Sequence, residues 1–340
     1  MIDAAFVPLQ QGALDLLLAP LFWILEAWYW LLVQVYHLTG LEILDPDYRF
    51  MYRALLVGLC IGVVAPLIGT FLVHRQLALI GDALAHTAFA GVAVGLFLNA
   101  VLDLGISPYL TAVVVAVIAA LAIELISEVT DAYNDVSMAI VLSTGFALGS
   151  TLISINAGGL SVGIDQYLFG NLSTVSPTNA VILLALFVAI VLTVAVTRNQ
   201  LLYVTFDETA AAVSGLSVNW YNRIMVMLTA LVVVGAMQIM GVILVAAMLV
   251  VPVAGASQIS RSFAESIYIS IVLAELAVLI GIGVAYYWGA TGGPIIVLVA
   301  VAIYGGSIIL GRVQDAVTQD ATPTTKQIDT ARATTNDGRE

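Results

Sequence analysis

The chain has 340 residues, of which 61% are hydrophobic and only 9% charged, with a formal net charge of −12. A soluble domain carries about 25% charged residues, so this chain lacks the polar surface to sit in water and requires an apolar solvent, which lipid supplies. The acidic balance argues against nucleic acid as a partner, and with Cys60 as the single cysteine there is no intrachain disulfide.

Apolar runs of membrane-spanning length recur, predicting an all-α fold: a polytopic transmembrane helix bundle of about eight to ten spans, each close to the ~20 residues a bilayer requires. The spans fall near residues 14–36, 51–73, 79–101, 108–127, 137–156, 178–197, 222–240, 241–257, 264–288 and 292–311. The first carries Asp15 and Glu26 and an aromatic cluster of Trp23, Trp28, Tyr29 and Trp30, so it reads either as a span or as an interfacial helix. No basic n-region precedes it, and the helix is expected to be retained. The stretch 222–257 is too long for one helix and too short for two ordinary ones, with Gly235, Gly241 and Pro252 as possible breaks. From about residue 313 onward Thr, Asp, Gln and Ala dominate and apolar periodicity stops, which predicts a disordered cytoplasmic tail over 313–340.

Orientation follows from the basic residues of the short loops. His74 and Arg75, Arg198 and Arg223, and Arg261 and Arg312 fall on one side, the cytoplasmic one, with the acidic loop 128–135 beside them. Segments 102–107 and 156–166 then lie outside. Arg49 and Arg53 fall on the wrong side of this scheme.

Two segments depart from plain apolar helix. In HRQLALIGDALAHTAFAGVAVG, residues 74–95, Asp82 and His86 are four apart and share a helix face. Ionisable groups inside a span are costly and usually face a bundle interior or a water-filled path. A carboxylate with an imidazole suits a divalent transition metal; the other reading is a buried Asp–His hydrogen bond that locks helices together. In TFDETAAAVSGLSVNWYNR, residues 205–223, a short helix is expected, with Phe206, Ala210 and Val213 on one stripe beside Asp207 and Glu208, and with Gly215 as its stop. Such a helix at the cytoplasmic surface serves either to dock a partner or to rest on lipid headgroups.

The first segment resembles the signature stretch of the permease subunits of metal-ion ABC importers, the zinc, manganese and iron uptake family, in which an arginine-containing stretch leads into G-D-A-L-S-H-A. This chain reads Gly81-Asp82-Ala83-Leu84-Ala85-His86-Thr87, departing at Ala85 and Thr87 and keeping Asp82 and His86. The second segment looks like that family's ATPase-coupling element, carried by Phe206, Asp207, Glu208, Ala211 and Gly215. Residues 228–256 are similar to the helix pair that follows it, and YYWGATGGPIIVL at 286–298 resembles the final hairpin with its turn at Gly293 and Pro294.

The resemblance implies a permease membrane domain over 46–312, preceded by an N-terminal extension over 1–45 that the family does not support. It also implies a multi-pass protein of the cell membrane and a transported divalent ion (zinc, manganese or iron), with no permanently bound cofactor. Implied partners are cytoplasmic ABC ATPase subunits, an extracytoplasmic metal-binding protein and a second permease subunit, as in a homodimer, so that two Asp82–His86 pairs offer four ligands. The chain itself is not expected to be an enzyme: it has no G-x-x-x-x-G-K-S/T phosphate loop. Glu275, deep in an apolar run, is a possible secondary polar site: a ligand, a proton-coupled group, or an acid held by a hydrogen bond. Three other readings compete: a permease for iron–siderophore or cobalamin, an ATP-independent secondary transporter, and an intramembrane protease. The last would need Ser143 with His86, and no G-x-S-x-G frame surrounds Ser143.

Overall fold

In hydrocarbon every backbone N–H and C=O must be satisfied within the segment, so long apolar runs become helices. The computed structural model describes residues 13–103, 105–130, 134–155, 164–170 and 176–321. Its helices are α1 (Ala13–Thr39), α2 (Arg49–His74), α3 (Ile80–Leu102), α4 (Pro108–Thr130), α5 (Asn134–Ile155), α6 (Ile164–Phe169) and α7 (Pro177–Phe206), then α8 (Glu208–Val213), α9 (Val218–Met240), α10 (Val242–Ser257), α11 (Phe263–Trp288) and α12 (Gly292–Ala321). Among the described residues eight of them, α2, α3, α4, α5, α7, α9, α11 and α12, are long and apolar enough to cross a membrane.

α10 is the shorter ninth. Its 16 residues span about 24 Å, less than the ~30 Å hydrocarbon thickness. It is packed among α2, α3, α9, α11 and α12, so protein, not lipid, covers most of its length. The break that starts it is at Gly241, whose φ is +78°. A side chain there would also run into the backbone of Leu168 and Gly170 at the end of α6. Of the three possible breaks this is the one used; Gly235 and Pro252 lie inside helices.

The helix ends sort into two levels. At one, which the positive-inside rule assigns to the cytoplasm, His74 meets Phe206 and Phe263, Arg75 meets Glu208, and Glu128 meets Asn219 and Arg223. At the other, Asn99 closes the α3–α4 turn, donating to the Ile106 carbonyl (2.6 Å) and accepting from its N–H (2.8 Å). Tyr109 stacks near Tyr167 there. These are called the inner and outer ends below. Arg49 and Arg53, in the first turns of α2, lie at the outer end.

α1 runs beside α2 and α7. Leu25 packs with Leu56 and Val181, and the Trp28 indole donates to the Tyr52 carbonyl at 2.8 Å. Tyr52 in turn donates to Leu44 in the α1–α2 connection at 2.6 Å.

Two boundaries differ from expectation. The span expected to end at 197 continues as helix to Phe206, because Arg198 and Asn199 are exposed polar residues with no helix-breaking chemistry. α7 is 30 residues long, about 45 Å, and its last turns project past the hydrocarbon. Likewise α12 continues to Ala321, past the point at 313 where the tail was expected to begin. Residues 322–340, with most of loop 156–166 and Asp131, lie outside the described residues.

Candidate metal pathway and coupling segment

The N-terminal half of α3 is enclosed by its neighbours. Its Gly, Ala and Leu residues from Ile80 to Ala93 are almost all buried against α4, α5, α9 and α10. Asp82 and His86 are exceptions. Their side chains are 41% and 24% exposed, and the Asp82 Oδ1 lies 3.6 Å from the His86 Nε2. That separation is longer than a hydrogen bond and within ion-pair reach. Both side chains open on one stripe of the segment Ile80–Ala93, which its neighbours otherwise bury. The pair occupies the first two turns of α3, in the inner half of the span.

The packing behind the pair fixes its position. The Phe146 ring of α5 meets the His86 ring edge-on at a centroid distance of 5.5 Å. Gly145 lets α3 approach: a Cβ there would lie 2.6 Å from the Thr87 Cγ2 and 2.9 Å from the Thr87 Cα. The two departures from the G-D-A-L-S-H-A pattern are both accommodated. Ala85 is fully buried, and the Thr87 hydroxyl donates back to the Ala83 and Leu84 carbonyls of its own helix at 3.2 and 2.9 Å.

Among the described residues no third His, Cys, Asp or Glu joins Asp82 and His86 in a metal-holding group. Divalent transition metals take four or more ligands, so two such side chains alone would not complete a coordination shell.

The segment after α7 is built from local capping. The Asp207 side chain accepts from the Ala210 N–H at 2.8 Å and starts α8. Gly215, at φ +88°, ends it, with Gly215 N–H to Ala212 O and Leu216 N–H to Ala211 O closing the helix. Ala211 is buried and anchors α8, while Phe206 is 65% and Val213 85% exposed. The expected stripe of Phe206, Ala210 and Val213 is exposed, but Phe206 also joins an aromatic cluster: its centroid is 5.4 Å from that of Phe263 and 6.5 Å from that of His74.

Sequence reading used Arg75, Glu128 and Arg223 only as orientation markers. The structure brings them around one polar cavity of about 240 Å³ at the inner end, lined also by Glu124, Glu208, Asn219 and Asn222. Asn219 and Arg223 of α9 donate to Glu128 of α4 at 3.0 and 3.1 Å. The signal available in sequence was charge at span ends; nothing local shows that residues 75 and 208 meet.

Glu275 sits halfway along α11, apart from Asp82 and His86. Its carboxylate packs on α2 where Gly62 leaves room, since a Cβ at 62 would lie 2.9 Å from Oε1. Oε2 is buried with no hydrogen-bond partner among the described residues.

Comparison with known proteins agrees with this architecture. The ABC 3 transport family matches residues 47–311. The manganese import system permease protein ScaB of Streptococcus gordonii is 32% identical over 258 residues, covering 76% of this chain and 90% of that protein. A probable iron transport system membrane protein of Haemophilus influenzae is 31% identical over 259 residues, covering 75% and 89%. The solved structure of PsaBC from Streptococcus pneumoniae in complex with Fab superposes with a TM-score of 0.69 at 32% identity, covering 78% of this chain and 94% of that one. An inward-facing putative metal-chelate type ABC transporter shares the fold, with a TM-score of 0.63 at 16% identity. With eight apolar spans and this match over most of its length, the chain is a multi-pass cell-membrane permease that belongs to the ABC 3 transport family.

Proposed function

We propose that the chain is the membrane subunit of a binding-protein-dependent ABC importer for a divalent transition-metal ion, manganese foremost, with Asp82 and His86 as its ligands on the path. The observation that carries this is the partly exposed Asp82–His86 pair in the stretch Ile80–Ala93, whose other residues are buried. A hard carboxylate and a borderline imidazole bind manganese, iron and zinc; the name of the relative in Streptococcus gordonii favours manganese. With only two ligands the site needs a second copy, placed so that two pairs face each other, and the affinity must stay modest because the ion has to leave again.

The exposed part of α8, with Phe206, Asp207, Glu208 and Gly215 around the buried Ala211, serves as the surface that a separate ATPase subunit grips. ATP is hydrolysed there and not on this chain, and an extracytoplasmic metal-binding protein delivers the ion. Glu275 is a secondary polar site at mid-span, because a carboxylate with a buried, unpartnered oxygen in a span is costly unless it is used. Residues 1–45 form an extension to the permease domain, and the end of the chain forms a cytoplasmic tail.

Two other readings have less support. A chelate permease needs no ligand pair on its path, and the chelate-type relative shares only the fold. A secondary transporter leaves the exposed, separately capped α8 without a purpose. The test is the metal content of cells carrying Asp82→Asn or His86→Ala: manganese should fall in both, and unchanged manganese, iron and zinc in both variants would overturn the assignment.

A further inference from the structure

α8 is tied to the body of the protein by an ion pair whose two ends differ in character. Arg75 donates to Glu208; its side chain is 8% exposed, that of Glu208 55%. The cation thus belongs to the interior and the carboxylate to the exposed segment. A guanidinium keeps its charge when buried and needs a carboxylate beside it. Among the described residues Glu208 is the one acid within ion-pair distance of Arg75. Arg75 also donates to the Met225 sulfur at 3.8 Å, and Glu128, across the same cavity, is engaged by Arg223 and Asn219.

Arg75 is also the C-cap of α2. Gln76 follows at φ +60°. The Gln76 N–H bonds to Val73 O at 3.1 Å and the Leu77 N–H to Leu72 O at 2.8 Å, the paired closure that stiffens a helix end. Leu77 is buried, and the Ile80 N–H bonds to Leu77 O at 3.1 Å, handing the chain to α3. Asp82 is in the first turn of that helix. Between Arg75 and Asp82 there is no slack segment, only a hydrogen-bonded turn. α8 is equally defined, capped by Asp207 and closed at Gly215.

We propose that Arg75 is a positioning residue that makes the α2–α3 turn move with α8, so that displacement of the coupling segment reaches Asp82 and His86 through the Arg75–Glu208 ion pair as well as through α7 and α9. This rests on the reading of α8 as the segment an ATPase moves. If Arg75 were only a local anchor, the turn would stay with the membrane helices when α8 shifted.

The experiment uses the assembled complex with its ATPase in lipid, in a Cys60→Ala background. Spin labels are placed pairwise at the exposed positions Gln76→Cys, Thr209→Cys and Val313→Cys, and distances are read with and without ATP. The proposal expects the 209–313 distance to change and the 76–209 distance to hold. In Arg75→Gln the 76–209 distance should change as well, and metal taken up per ATP hydrolysed should fall by about tenfold or more. The reciprocal Arg75→Glu with Glu208→Arg should restore both. A 76–209 distance that changes along with 209–313 in the unsubstituted pair overturns the proposal while leaving the coupling reading intact. A 209–313 distance that ignores ATP overturns the coupling reading and this proposal together. A reciprocal exchange that restores neither readout also counts against it, and the wild-type distances decide the matter even where Arg75→Gln fails to assemble.

Discussion

Gly145→Ala is a small change that reaches the proposed Asp82–His86 metal site without touching it. The added Cβ would lie 2.6 Å from the Thr87 Cγ2, 2.9 Å from the Thr87 Cα and 3.0 Å from the Thr87 N. Carbon atoms in contact sit about 3.5–4.0 Å apart, so α3 and α5 must separate by about 1 Å. The methyl of Thr87 could rotate away, but the two backbone atoms cannot. Overpacking of this kind costs about 1–3 kcal/mol, offset in part by the roughly 1 kcal/mol that Ala gains over Gly in a helix; the net loss is about 0–2 kcal/mol. The effect on transport should be larger than the effect on stability, because metal ligands tolerate only about 0.2 Å of error and His86 is the residue before Thr87. The assay is thermal unfolding of the purified protein beside manganese uptake by the reconstituted complex. Gly145→Ala should lower both, Thr87→Ser in the same chain should recover only part, and Gly283→Ala, where nothing lies within 4 Å, should lower neither. Wild-type uptake in Gly145→Ala would refute the claim that the α3–α5 contact sets the ligand position.

Three further outcomes follow from the same structure. Trp28→Phe removes the 2.8 Å bond to the Tyr52 carbonyl and should weaken the docking of α1 by about 1 kcal/mol, seen as faster limited proteolysis near the N-terminus with uptake unchanged. Glu128→Gln should cost only about 0.2–1 kcal/mol despite its bond to Arg223, because both side chains are more than a third exposed; the loss should shrink as salt is raised. Gly62→Ala places a Cβ 2.9 Å from the Glu275 carboxylate and should destabilise by about 1 kcal/mol, with Glu275→Ala in the same chain restoring stability but not uptake.

The spans were legible because lipid imposes a length and a composition on them, and α2, α3, α4 and α11 begin and end within a few residues of where hydropathy places them. Hydropathy marks where the membrane stops, however, and not where the helix stops. Arg198 and Asn199 are polar, exposed and helix-compatible, so α7 passes through them. The break in 222–257 had three candidates, and only tertiary contact with Leu168 separates Gly241 from Gly235 and Pro252. That Asp82 and His86 share a helix face was readable from their spacing of four, and their side chains do lie together. Ala211 was grouped with the coupling residues, yet it is the anchor and not the exposed surface. The Arg75–Glu208 pair spans 133 positions, and no local pattern connects its two ends.

The central claim is that two chains together complete one metal site from two Asp82–His86 pairs. Equilibrium binding of Mn²⁺ to the purified permease in lipid tests it most directly. The account predicts one ion per two chains, lost in Asp82→Asn and in His86→Ala while each variant remains folded and paired. Binding of equal stoichiometry and affinity in the wild type and in both variants would contradict it.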